Sequence, residues 1–243
     1  MTTKKQIILV FGGGNVEHNY MLKDRDFKLG AKLKSSYIET YGGGGYNVSV
    51  RLAHYGEYAV IPILNLGNDA LGQSMFHYMS PLLSAANDGC GLESFYSQEQ
   101  ILVPGISTNS SVIMSSNNQR TILYQDAEYS HRYFEYVKQC IAAITSNPSV
   151  YDAIITVVIG HIREDGELQG AITREIISAF SNKTIFWQPG NTQIQFSYDF
   201  WKDDLQNITF LQLNLSEMKQ FVGSKIAGEQ VLYELLQFFL LVL

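Results

Sequence analysis

The chain alternates between apolar runs that stop at glycine, asparagine or glutamine and longer stretches of helical period. Residues 6–11 (QIILVF), 58–66 (YAVIPILNL), 151–160 (YDAIITVVIG), 184–187 (TIFW) and 208–213 (ITFLQL) are short and almost continuously apolar. That is the pattern of strands covered on both faces. Between them lie helical patterns. One follows Asn47, has Val48, Leu52 and Tyr55 on one face, and meets Gly56 where a left-handed residue would end it. A second, over 70–80, is capped by Asn68-Asp69 and carries apolar positions from Leu71 through Met79. Others are predicted near 130–145, at 167–181, from Ser216-Glu217 to Gly223, and over about 226–240.

Buried strands alternating with helices predict an α/β domain: a mainly parallel central sheet with helices on both faces. Two polar segments do not fit that sheet. Residues 15–41 are polar and aromatic, with no helical period. Residues 107–124 hold two alternating stretches separated by Asn117-Asn118, which spells a hairpin. Together they predict a small second sheet, a β lid on a single domain spanning 1–243.

Composition narrows the class. With 46% apolar and 16% charged residues, wholesale disorder is excluded. A net charge of −6 (17 − 23) without a basic block argues against a nucleic-acid binder. The sequence holds no run of 18 apolar residues and no secretory signal pattern, so no membrane span and a cytoplasmic location are expected. Two cysteines, Cys90 and Cys140, make no disulfide framework and read as buried thiols.

In open α/β sheets, ligands bind beyond the C-terminal ends of the strands, which directs attention to loops 12–15, 67–69 and 188–191. The dinucleotide fingerprint fails because position 17 is Glu, and no GxxxxGK[ST] run exists. Gly42-Gly43-Gly44-Gly45 at a helix entry is more telling. Without Cβ atoms the backbone can approach a ligand closely, and N–H groups point outward at the helix start. A plain flexible loop is the alternative. The five histidines lack zinc-like spacing; His161, ending the strongest strand, and His18, beside Glu17, are the two placed to reach a substrate.

GGGGYNVSVRLAHYG, a strand, and then GNDALG resemble the first signature of the ribokinase-like (PfkB) sugar and nucleoside kinases. The matching residues are Gly43, Gly44, Gly45, Asn47, Gly56, Gly67, Asp69 and Gly72. Glu17 stands in the first loop, where the family usually has Asp. Trp187-Gln188-Pro189-Gly190 resembles its Asn-Pro turn, and Asn214-Leu215-Ser216-Glu217 its NxxE motif, with Gly223 following. The matches are individually weak, but they fall in the family's order over residues 7–223.

The resemblance implies a three-layer α/β/α ribokinase-like fold and transfer of the γ-phosphate of ATP to a sugar or nucleoside hydroxyl. Substrate would meet Glu17, Gly43, Gly44, Gly45 and Asn47. Asn214 and Glu217 would bind nucleotide phosphate, with Glu217 holding Mg²⁺ through water, and a homodimer would form through the lid. The family's second signature, DTxGAGD, which carries the general base and the anion hole, occurs nowhere in the 243 residues. The expectation is therefore a chain truncated before that segment, with no catalytic base of its own and the base beyond Leu243. An inactive remnant that at most binds a sugar or nucleoside is the alternative.

Overall fold

A computed structural model describes residues 5–22, 32–116, 119–125, 131–164 and 166–222. Strand β1 (Ile7–Gly13) feeds β2 (Asn15–Leu22) and β3 (Ser35–Gly42), which leads into helix α1 (Gly44–Tyr55). Strand β4 (Ala59–Gly67) and helix α2 (Ala70–Ala86) follow, then α3 (Glu93–Tyr96), α4 (Gln98–Ile101) and β5 (Leu102–Val103). Hairpin strands β6 (Asn109–Ser116) and β7 (Gln119–Gln125) precede α5 (His131–Thr145), α6 (Pro148–Tyr151) and β8 (Ile154–Ile159). Then come α7 (Ala171–Ala179), β9 (Thr184–Trp187), α8 (Asn191–Ile194), α9 (Ser197–Trp201), β10 (Phe210–Leu211) and α10 (Leu215–Val222). The predicted Asn117-Asn118 turn, Gly223 and the pattern at 226–240 lie outside the described residues.

The main sheet has the order β10-β9-β8-β1-β4-β5, and its pairings are parallel. Alternation along β1 builds two cores. Ile7, Leu9 and Phe11 pack with α5, α7 and the aromatic residues Trp187, Trp201 and Phe221, while Ile8 and Val10 pack with α1 and α2. The second sheet, β3-β2-β6-β7, joins its two antiparallel hairpins through parallel pairing of β2 and β6, with Asn15 opposite Asn109. No described helix is long and apolar enough to cross a membrane.

Several boundaries differ from the sequence reading. Helix α2 runs past Pro81 because Met75, Met79, Leu83 and Ala86 continue one buried face. The lost N–H bond at Pro81 is outweighed by that packing. Helix α7 starts late, since Gln169 and Gly170 both hold positive φ. On α1 the buried residues are Gly45, Tyr46, Ser49 and Ala53; Val48 and Leu52 are half-buried and Tyr55 is exposed. Strand β10 keeps two residues of the 208–213 run. Cys140 is buried, but Cys90 is only partly so.

Candidate functional site

A cleft of about 350 Å³ opens between the two sheets. Its floor is Gly13 and Gly14 at the end of β1, with Gly43 and Gly44 at the entry to α1. The second sheet contributes Asn15, Glu17, Asn109 and Tyr124; His161 and Arg163 come from the loop after β8, and Thr192 from α8.

The glycine run acts as packing and as surface. Gly43 caps α1 at φ 93°, a conformation that disfavours other residues. A Cβ on Gly45 would lie 2.9 Å from both the Gly12 Cα and Leu64 Cδ2, so Gly45 brings α1 against β1. Gly45 is thus buried beneath the cleft rather than lining it. Asn47 donates its backbone N–H to the Gly43 carbonyl at 2.9 Å, but the residue is exposed and is not among those lining the cleft. The rotation of α1 fixed by Gly45 accounts for this. Of the sequence-predicted substrate residues, Glu17, Gly43 and Gly44 come together.

Strand alternation separates Glu17 from its neighbour. Glu17 turns toward Thr40, whose hydroxyl donates to its carboxylate at 3.2 Å, and toward Gly42. His18 instead meets the Tyr37 hydroxyl at 2.9 Å and Glu39 at 3.6 Å, away from the cleft. Asn15 was not singled out from sequence. Its Nδ2 donates to Ser111 Oγ at 2.9 Å, while its Oδ1 is buried with no hydrogen-bond partner. An orphaned acceptor in a cleft wall is costly unless a bound donor meets it.

His161 lies against Gly190, where a Cβ would collide with the imidazole ring. Beside it, Glu164 is fully buried. Burial pushes its carboxyl up to about 7, against hydrogen bonds from Thr173, Gln193 and the Ile172 backbone that favour the ionised form.

Asp69 is a tie as well as a helix cap. Its carboxylate accepts from Gly72 N–H (2.8 Å), Thr108 N–H (2.7 Å) and the Thr108 hydroxyl (2.8 Å), fastening α2 to the chain that enters β6. Burial alone would raise this carboxyl's pKa, but these donors, with the Leu71 N–H beside them, outweigh it and hold it below the usual value. Asp69→Ala strands buried donors and should destabilise the chain by about 1–3 kcal/mol in urea unfolding. Asp69→Asn keeps an acceptor and should lose less.

Asn214 and Glu217 form a reciprocal capping box at the start of α10. The Asn214 N–H donates to Glu217 Oε2 at 2.8 Å, and the Glu217 N–H donates to Asn214 Oδ1 at 2.9 Å. Neither residue lines the cleft described above.

No protein-family model and no curated protein matches the chain in sequence. Solved structures do match in shape. Ribokinase of Thermotoga maritima superposes with a TM-score of 0.63 at 16% identity, covering 96% of this chain and 69% of that one. The chain has the ribokinase-like fold. A nucleoside kinase of Methanocaldococcus jannaschii gives 0.61 at 14% identity, over 95% of this chain and 68% of that one. Ribokinase from Cryptococcus neoformans in complex with ADP gives 0.56 at 18%, over 97% and 67%. The ribokinase-like fold is thus shared with sugar and nucleoside kinases over nearly the whole chain, which spans about two thirds of theirs.

Proposed function

We propose that the cleft binds a sugar or nucleoside through its hydroxyls, and that the chain serves transfer of the γ-phosphate of ATP to one of them. The observation that carries this is the pairing of Glu17 with the orphaned Asn15 Oδ1 in one cleft wall, above a glycine floor. A carboxylate and an unmet amide oxygen in one wall suit the donors of a polyol. Gly43 and Gly44 would admit the substrate closely; Gly45 would support them from below, and Asn47 would act from the helix entry. The cleft groups able to take a proton are Glu17 and His161.

For Mg²⁺ the fit is limited to an ion held through water. Among the described residues, no group of three or more His, Cys, Asp or Glu could hold a metal. Glu217 offers one carboxylate, partly engaged by the Asn214 N–H. That suits a hydrated ion shared with nucleotide phosphates. Bound there, Mg²⁺ would neutralise phosphate charge, and Asn214 and Glu217 would orient the phosphates.

The test is a thermal-shift panel of D-ribose, D-fructose and adenosine, run beside an ATP-consumption assay. A ligand at a hundredfold its Kd should stabilise the chain by about 2.7 kcal/mol, and Glu17→Ala should remove that gain. Stabilisation without ATP consumption would favour the non-catalytic binder. A flat panel would sink both readings. The outer sheet also exposes Tyr37, Ile38, Ile122 and Leu123, apolar area consistent with a homodimer through the lid, which light scattering would report.

A further inference from the structure

Behind the cleft, Glu164, Thr173 and Gln193 are each fully buried. They come from the loop after β8, from α7, and from the short helix after β9. The Gln193 Oε1 accepts two backbone N–H groups, from Gly190 at 2.8 Å and from Ile162 at 3.3 Å. Those two amides belong to the loop after β8, which presents His161 to the cleft, and to the N-cap of α8, which presents Thr192. The Gln193 amide nitrogen points the other way, donating to Glu164 Oε1 at 3.2 Å and Thr173 Oγ1 at 2.8 Å. Thr173 closes the network, donating its hydroxyl to Glu164 Oε1 and its N–H to Glu164 Oε2 at 3.0 Å. The Thr192 hydroxyl adds a bond to the Ile162 carbonyl at 3.4 Å.

Donor and acceptor arithmetic makes this arrangement directional. An amide has one acceptor end and one donor end. Gln193 can clamp both loops with its oxygen only if its nitrogen has acceptors on the opposite side. Glu164 is an acceptor on both oxygens when ionised, so it fixes which way Gln193 faces. We infer that Glu164 is a positioning residue: by orienting Gln193 it holds the loops after β8 and β9 together and so sets the cleft wall formed by His161 and Thr192. The consequence for ligands rests on the proposed function; the clamp itself does not.

Near-isosteric variants separate this from simple filling of space. In Glu164→Gln, an amide nitrogen competes with that of Gln193 for the same acceptors. In Gln193→Glu, two carboxylates meet where one hydrogen bond stood. The double variant Glu164→Gln/Gln193→Glu restores the pattern in mirror form: the new carboxylate accepts from Ile162, Gly190, Thr173 and residue 164. Amide hydrogen exchange by NMR at pH 7.5 reads the clamp without any ligand. Each single variant should speed exchange at Ile162 and Gly190 by about tenfold or more, with β1 and β4 unchanged. The double variant should recover to within about threefold of the parent, a non-additive result. Thr173→Val, which removes one link at constant size, should give a smaller local rise. Silent single variants, acceleration spread evenly through the sheet, or a double variant worse than both singles would overturn the inference. With a panel ligand in hand, its affinity should fall in the singles and return in the double. A flat panel would fail the proposed function while leaving the exchange result to decide the clamp.

Discussion

Trp201→Ala should lower the unfolding free energy by about 3–5 kcal/mol, the range for removing a large buried aromatic. Trp201 is fully buried, 5.0 Å from the Trp187 ring and 4.9 Å from Phe200 between centroids. The Arg174 guanidinium lies 5.4 Å from its ring. Its indole N–H donates to the Gln193 carbonyl at 2.9 Å, so truncation also leaves a buried acceptor unmet. Trp201→Phe keeps much of the packing and should lose about 1–3 kcal/mol, mainly through that carbonyl. Urea unfolding with an unchanged m-value is the measurement. A loss below about 1 kcal/mol for Trp201→Ala would mean that α9 is not docked as described.

The second large effect is a pH dependence. Glu164 has a folded-state pKa of about 7, against 4.5 for an ordinary Glu. The folded chain therefore holds its proton more tightly than the unfolded chain. The stabilisation is fully present below about 4.5 and is lost as pH rises through about 7. At 1.36 kcal/mol per unit the full span is about 3 kcal/mol. Asp69 works in the opposite sense: its carboxyl is held low, so its contribution is lost as pH falls through the folded-state value. Comparison with Glu164→Gln isolates the Glu164 part. Between pH 8 and pH 5 the parent should gain about 2–3 kcal/mol relative to that variant, most of the full span. Parallel stability curves would contradict it.

Strands β1, β4, β8, β9 and β10 of the main sheet were readable because each lies in an apolar run, and β1 and β4 are covered on both faces. The glycine run gave the helix entry, and Gly56 gave its end. Strand β5 was not readable: it is two residues long, and its pairing with Leu66 and Gly67 is decided across the fold. Asn47 shows the limit for the site. Its spacing from the glycines was visible, but the rotation of α1 depends on Gly45 meeting Gly12, which has no local signature. Glu164 stands in Arg163-Glu164-Asp165-Gly166, which looks like a solvated loop. Only the arrival of Thr173 and Gln193 makes it a buried group. Asn15 likewise becomes notable only because β6 lies beside β2.

The parallel pairing of β2 with β6 also bears on folding order. The outer sheet is built from residues 15–22, 35–42, 109–116 and 119–125, and neither hairpin is more than two strands wide. Isolated two-stranded hairpins are marginal in water. Their junction joins residues more than ninety positions apart, Asn15 with Asn109, and closing so long a loop is slow. The main sheet closes still longer loops, Ile7 with Ile154, but apolar packing on both of its faces offsets that cost. With β3 almost wholly exposed, the roof of the cleft is expected to come apart before the main sheet does. Recovery of the cleft in refolding experiments should lag behind recovery of the tryptophan core.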